Sequence, residues 1–540
     1  MLNMLQYNHK TTPERNYFMK KLFVLILTIT IVASLFCINT FAAEDPASDI
    51  VLRVSATMRD GSTKVIKDYT SFEDGWNAAM ELASNPKELN KNDYARVIVD
   101  LYSDWNAVDG EFTKDFFNGK GFNWDAIYFP SNVVVTLNLN GNTINRGLTE
   151  YQYNGEVMYI DKNAEVIING DGGSITGGWS CNGAGGIHIN DGAYVTLNNV
   201  NVVGNVVEDD DGAGIALYNG AHLTMDGGSI SNNVVYSASR HSQCSYGALY
   251  LDEATATLNN VTISGNVAKN YAANGVAIYI SNSDISLNGC VIENNGYTDE
   301  NKNYVSALSI IYGAFSANLT VTDTEFKNNG SETRIGDKDT ANQLSSLIYW
   351  HNATSKNTKT VNLSNSTFTG NKMDTLFYMD KVDFTFSDCT VTDNYANVLY
   401  AGTNKSSYQN PVLGGTSSAN KTAGANIVTV GVIKSCTFNN NSLGKSAEAM
   451  TGETKLTTFF FSGEKRELNV SFTNCEFGNS TFTNKNLVRI SNSSFTGSIF
   501  SEGSLTIVVA IVALVTSITS ICLTVVSNKK KKEEFKSEEK

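Results

Sequence analysis

The sequence predicts an all-β protein: a right-handed parallel β-helix with an N-terminal α/β cap and a single C-terminal transmembrane helix. Three observations lead to this expectation. Short apolar runs recur in one fixed frame along most of the chain, nearly every run closes on an asparagine, and an apolar segment lies beyond each end of the array. The totals agree. Of 540 residues, 41% are hydrophobic and only 17% charged, proline occurs 5 times, and Gly, Asn, Ser and Thr are abundant. Such a composition belongs to a folded β protein rather than a disordered chain.

At the N-terminus, Met19-Lys20-Lys21 precedes an apolar run from Leu22 to Cys37, followed by Asn39-Thr40-Phe41-Ala42-Ala43. A basic start, a short apolar core and small residues make residues 1–43 a secretory signal peptide. Translation from Met19 and cleavage after Ala42 or Ala43 fit it best. Residues 44–130 read as a cap. Ser71 is placed to cap a helix with Asp74 three residues on, and Phe72, Trp76 and Met80 line one face of it. The run Arg96–Leu101 reads as a strand.

The repeat occupies 131–500. Taking Leu258 as origin, Val261 stands at +3, Ile263 at +5 and Asn266 at +8. The same frame fits origins Leu197, Met225, Leu287, Val321, Leu363, Phe386 and Ile433, with worn copies at Phe472 and Ile490 and an irregular early copy over Val166–Ile175. Origin and +5 are always apolar, +3 is small or medium, and +8 is Asn in eight copies of ten. A second apolar patch precedes most copies: GGIHI (185–189), GIALY (214–218), GALYL (247–251), GVAIYI (275–280) and SALSI (306–310). These runs are too short for helices. Repeated with polar turns between them, they build a solenoid of stacked coils. About a dozen coils, each rising about 4.8 Å, make a rod on the order of 60 Å. Origin and +5 have odd separation, so a bend near +2 and +3 is required for both to face inward. The +8 Asn is expected in the following turn, in the left-handed conformation, bonded to the coils above and below.

Beyond the array, Leu505–Val526 is apolar and long enough to cross a bilayer, and Lys529–Lys532 mark its cytoplasmic side. Residues 527–540 form a lysine-rich tail. The expected localisation is a single-pass type I membrane protein with the β-helix outside. Residues 1–43 carry +3 and residues 529–540 carry +2, so the body over 44–528 carries −19 against a formal −14 for the whole chain. That charge disfavours nucleic acids, anionic lipids and polyanionic glycans as partners.

Six of the eight cysteines lie in the body, with no CxxC spacing: Cys181, Cys244, Cys290, Cys389, Cys436 and Cys475. The last four occupy +3, where a thiol acts as a compact apolar residue. Only Cys436 and Cys475 read as belonging to adjacent copies able to bridge, and buried free thiols are the expectation for the set.

Candidate chemistry is sparse. Asp209, Asp210 and Asp211 form the best acidic cluster and with Glu208 could hold Ca²⁺, but a charge run is ordinarily a solvated turn. Asp191 and Asp252 stand six residues before their origins, in what reads as one turn column shared with Asn219 and Ser281. His188, His222, His241 and His351 fall in different parts of the frame. Trp76, Trp105 and Trp124 lie in the cap and read as core. No catalytic, cofactor-binding or metal-ligating residue is assigned, and no cofactor is expected.

The paired signals FKNN (326–329), FTGN (368–371) and FNNN (438–441), with GAGGI (183–187) and GAGI (212–215), resemble the GGAI and FxxN repeats of the polymorphic membrane proteins of chlamydiae. The resemblance covers roughly 165–500 and implies a β-helix that serves in adhesion at a cell surface. Those proteins end in a membrane β-barrel, whereas this chain ends in an apolar segment and a lysine tail. The expected function is a non-catalytic, membrane-anchored surface protein for adhesion or for interaction with the envelope or glycans. The alternative is a membrane-tethered glycoside hydrolase or polysaccharide lyase acting on a neutral polysaccharide.

Overall fold

The computed structural model describes residues 49–107, 122–123, 126–237, 246–270, 274–298, 309–330, 345–351, 359–402, 429–442, 457–462, 468–482, 488–496 and 499–500. The expected signal peptide, the Leu505–Val526 segment, the lysine tail, Trp124, His241 and Cys244 lie outside them. Among the described residues no helix is long and apolar enough to cross a membrane.

The cap begins with strand β1 (Leu52–Met58), antiparallel to both β2 (Thr63–Tyr69) and β3 (Tyr94–Leu101). Between β2 and β3 lie helices α1 (Phe72–Ala83) and α2 (Pro86–Lys91). The Ser71 hydroxyl accepts from the Asp74 amide at 3.2 Å, satisfying one of the free donors of the first turn. Phe72, Trp76 and Met80 are fully buried on one face of α1, and Trp105 stacks on Phe72 at 4.5 Å. Strand β3 also stacks in parallel on Val134–Asn138, pairing Val97 with Val135, so parallel stacking begins inside the cap, ahead of residue 131.

From there the chain is a parallel solenoid, with described strands falling into sheets of 26, 14 and 5. In the long sheet the origins stack in register: Ile168, Leu197, Met225, Leu258, Leu287, Val321, Leu363, Phe386, Ile433, Phe472 and Ile490. The +5 residues form a second inward column, which turns aromatic at Phe326, Phe368, Phe438 and Phe477. Phe326 and Phe368 stack at 4.7 Å, and Phe438 and Phe477 at 5.4 Å.

The bend between the two columns lies where the frame requires it. Residue +2 is left-handed in each copy from Leu197 to Ile490, for example Asn199 (φ 49°), Asn260 (φ 55°), Gly289 (φ 62°), Asp323 (φ 53°) and Asn365 (φ 47°). Gly, Asn and Asp tolerate this region best. The expectation for +8 is corrected. The second left-handed residue is +7, as in Gly204, Asn232, Gly265, Asn294 and Asn328. By making the turn, +7 leaves the +8 Asn free to point into the interior.

Asn205, Asn233, Asn266, Asn295, Asn329, Asn371, Asn394 and Asn441 are at most 3% exposed. Each Nδ2 from Asn205 to Asn394 donates to the Oδ1 of the next at 2.9–3.2 Å. Each backbone amide donates to that same oxygen at 3.0–3.1 Å. The second Nδ2 proton goes to the +5 carbonyl of the coil before, at 2.8–3.2 Å. From Asn205 to Asn394 every side-chain amide donor and acceptor of the column is used, the condition under which a buried polar network stabilises.

The +3 column is buried and small, and the thiols in it are free: Cys290, Cys389, Cys436 and Cys475. The expected adjacency is corrected. Because Phe386 pairs with Ile433, Cys389 and Cys436 sit in neighbouring coils just as Cys436 and Cys475 do. The long insert between copies hides this in the sequence, since a solenoid accommodates extra residues in a loop without losing register.

The 14-stranded sheet carries the second apolar patch. Its inward residues include Ile187, Ile215, Leu249, Ile278, Ile311, Ile348, Phe377 and Leu399. Gly313 lies under the Trp350 ring, where an added Cβ would come within 2.3 Å of it. The 5-stranded sheet, from Trp179–Ser180 to Gly296–Thr298, flanks the early coils only. The proposed Asp191 and Asp252 column is also corrected. Asp191 accepts from the Asn219 side chain at 2.8 Å, whereas Asp252 pairs with Tyr218 and Ser281. Tyr218-Asn219-Gly220-Ala221 is one residue longer than the turn stacked on it, so counting back from the origin fails there.

Candidate binding face on the early coils

The outer faces of the 14-stranded and 5-stranded sheets both carry aromatic side chains, and they differ in what the rings touch. On the 14-stranded sheet one outward column reads Tyr128, Tyr159, His188, Ala216, Tyr250, Tyr279, Tyr312, Tyr349, Tyr378 and Tyr400. Parallel in-register pairing places like residues above one another, and neighbouring rings from Tyr250 to Tyr400 lie 4.4–5.3 Å apart. At Ala216 the column steps sideways through Tyr218, which touches both His188 (4.9 Å) and Tyr250 (5.5 Å). The ring faces are consumed by this stacking, which makes the column a stabilising ladder. His188 is part of it. Burial pushes its imidazole down to about 4, so it is neutral at pH 7.

His222 is also in a stack, with Tyr194 at 4.4 Å, and its Nδ1 is 2.6 Å from the Thr255 hydroxyl. His351 ends the strand Ser346–His351. His188 and His222 stand in different sheets and different ring stacks, so the structure does not bring these two together. Trp76 and Trp105 are core residues of the cap.

The acidic cluster lies in the turn between Val206–Glu208 and Ile215–Tyr218. It is not a freely solvated run. Asp209 adopts φ 56° and accepts from the Ser237 hydroxyl at 2.9 Å. Asp210 reaches back one coil, accepting from the Gly183 amide and from the Asp211 amide, both at 2.9 Å. Asp211 turns toward Tyr250 and Asp252. Burial raises the Asp210 carboxyl despite its two amide donors, and it raises Asp211 further with the Asp210 charge beside it. Glu208 is raised by burial too, against a hydrogen bond of 3.3 Å from the Trp179 indole. Among the described residues no three acidic, His or Cys side chains converge as a metal site.

Beside this cluster lies the outer face of the 5-stranded sheet, which sequence reading missed. Gln152 bridges Ser180, Trp179 pairs with Val206, and Val206 with Val234, then Val267. Side chains alternate along a strand. Gln152 and Ser180 point inward, where the Gln152 amide oxygen accepts from Arg146 at 3.3 Å. The residues on either side point out. Tyr151 and Tyr153 are 57% and 66% exposed, and Trp179 and Cys181 follow in the next coil, both half-buried. One outer column thus reads Tyr151, Trp179, Val206, Val234 and Val267. The other reads Tyr153, Cys181, Glu208, Tyr236 and Lys269.

The segment that presents the tyrosines is held from beneath. Arg146, 2% exposed, donates to the Glu156 carbonyl as well as to Gln152. The Ser180 hydroxyl is 3.4 Å from the Glu156 carboxylate. Gln152 is tied to the strand above through its amide and its carbonyl, at 3.0 and 3.1 Å. Gly155 crosses so close that a Cβ would sit 1.8 Å from the Trp179 carbonyl. The signal in the sequence was Tyr151-Gln152-Tyr153 with Trp179, but these residues lie outside the repeat frame, and only the coil stacking puts them together. Comparison with protein-family models, with curated proteins and with solved structures gives no match to this chain.

Proposed function

We propose that this protein is a non-catalytic, membrane-anchored surface solenoid that serves in adhesion or in envelope and glycan interaction. The observation that carries the reading is the unbroken parallel stacking from Val97 to Phe500, whose last strand stops shortly before Leu505. A rod on the order of 60 Å would stand directly on the membrane. In this reading residues 1–43 direct export, Leu505–Val526 spans the bilayer, and the lysine tail stays in the cytoplasm. The coils wind right-handed, as nearly all parallel crossovers do. The likeness to the repeats of polymorphic membrane proteins supports a surface role of the same kind.

A membrane-tethered hydrolase or lyase acting on neutral polysaccharide is the second reading. One observation favours it: the raised carboxyl of Asp211 lies beside Asp210 and Asp252, and carboxylates forced apart in pKa are the raw material of acid–base catalysis. The test uses intact cells expressing the full chain. Labelling of exposed Lys162 by a reagent that does not cross membranes, with adhesion and no glycan degradation, supports the surface solenoid. Glycan turnover that Asp210→Asn or Asp211→Asn abolishes would replace it with the enzyme.

A further inference from the structure

We infer that the outer face of the 5-stranded sheet, entered at Tyr151, Tyr153 and Trp179, is a binding strip for an uncharged, extended oligosaccharide. The inference rests on the reading that the solenoid faces the extracellular medium, and it names the ligand class.

This strip has ring faces available. In the tyrosine column each ring is covered by its neighbours in the coils above and below. Tyr151, Tyr153 and Trp179 stack on no other ring among the described residues, and the two tyrosines are 57% and 66% exposed, whereas Tyr194, exposed to 57%, already stacks on His222. An aromatic face in water is a poor hydrogen-bonding partner and a good one for the apolar face of a pyranose ring. Exposed tyrosine also loses little conformational entropy when it is covered, having two side-chain torsions.

Repeat length matters as well. Coils succeed one another at about 4.8 Å. That is close to the length of one pyranose residue in an extended chain, so an oligosaccharide lying along the axis would set about one sugar on each coil. The strip continues in the same direction over Val206, Val234 and Val267, half-exposed and uncharged.

The strip also has a polar edge. Glu208 hangs beside Trp179 and is held by its indole. Asn182 donates to Asn154 at 2.8 Å at the open end of the strip. Amide and carboxylate groups beside an aromatic platform are what sugar hydroxyls need, as donors and acceptors fixed in position. The charge selects further. Glu208, Asp209 and Asp210 adjoin the strip, and the body carries −19, so an anionic glycan would be repelled. Preorganisation completes the case, because Tyr151 and Tyr153 flank a residue tied on both sides to buried Arg146 and to the strand above.

The experiment measures binding of the full chain, in detergent micelles, to neutral hexaoses of the cello-, manno-, xylo- and chito- series, with oligogalacturonate and heparin as anionic probes. Wild type is expected to bind at least one neutral hexaose and neither anionic probe. The Tyr151→Ala/Tyr153→Ala/Trp179→Ala variant should bind about tenfold more weakly or worse. The double variant without the tryptophan change keeps the test valid if Trp179→Ala disturbs folding. Tyr194→Ala, equally exposed at 57% but on the long sheet, should bind as wild type does. Equal loss in Tyr194→Ala, no loss in the double variant, or preference for the anionic probes would overturn the inference. Adhesion of expressing cells with no binding to any neutral hexaose would overturn the glycan strip while leaving the surface reading intact.

Discussion

Two asparagine columns run up this solenoid, and only one of them is strict in sequence. The inner one, at +8, is Asn in every coil from Asn205 to Asn441. The outer one, at +1, begins as Asn138, Asn169 and Asn198, with side-chain amides passing 2.7–2.8 Å bonds from coil to coil. It then admits Asp226, Thr322, Ser364, Ser387 and Lys434. The geometry of stacking is the same in both, so the difference is the solvent. An outer amide that loses its neighbour turns to water. An inner one leaves buried donors and acceptors unpaired in two coils at once, at about 1–3 kcal/mol each. Recurrence in the sequence therefore measures the cost of failing to stack rather than a contribution to function.

The largest expected effect comes from placing a charge in the inner column. Asn295→Asp keeps the acceptor that serves Asn266 but replaces both donors, to Asn329 and to the Ile263 carbonyl, by oxygen. At pH 7 it should cost about 3–5 kcal/mol in urea denaturation. Burial raises the folded pKa of such an acid above its unfolded value. The folded state then binds more protons, and the loss should shrink as pH falls toward about 4.

Lys359 sharpens the comparison from the other side. It is 1% exposed in an interior position that Ala254, Ser283 and Ala317 fill in the preceding coils and Val382 in the next. Burial pushes its ammonium down to about 7 from 10.5. The unfolded chain binds the proton more readily between these values, so stability should rise with pH from about 7 to about 10.5. Lys359→Met should stabilise by roughly 4–5 kcal/mol at or below pH 7, with the gain vanishing above about pH 10.5. A flat pH profile for the wild type over that window would contradict the burial argument.

The +3 column should be far more forgiving. Ser366 already fills it and donates to the Ser364 carbonyl at 2.8 Å, and Cys436 makes the equivalent contact to the Lys434 carbonyl at 3.3 Å. Cys436→Ser should therefore cost about 1 kcal/mol or less, read as a thermal midpoint moved by only a few degrees. The smallest effect belongs to Ser480→Asn, which offers the amide column one more rung where the sequence has worn. A gain of about 0.5–1 kcal/mol is expected; a loss would show that the last coils have closed around the smaller side chain.

Much of this fold was legible in the sequence because stacking in register repeats itself. Origin, +3 and +5 columns, the bend at +2 and the Ser71 cap all follow from side-chain size, parity and turn chemistry. The turn at +7 is one residue ahead of the asparagine that marks it, because Asn suits both a left-handed turn and a buried ladder, and composition alone does not separate them. The binding face was illegible for a different reason. Tyr151, Tyr153 and Trp179 are neighbours only through the Gln152–Ser180 bridge, and nothing in their spacing repeats. Asp210 and Asp211 read as a solvated run because their partners, Gly183 and Tyr250, belong to the coils below and above.

Burial alone separates the two asparagine columns, so the most direct test compares one residue from each. Asn295→Ala and Asn288→Ala remove the same amide from the same coil, at 0% exposure and at the half-exposed surface respectively. Their unfolding free energies should be measured in one urea titration series. We expect Asn295→Ala to lose about 2 kcal/mol or more beyond the loss in Asn288→Ala. Equal losses would contradict the claim that buried stacking is what makes the asparagine recur.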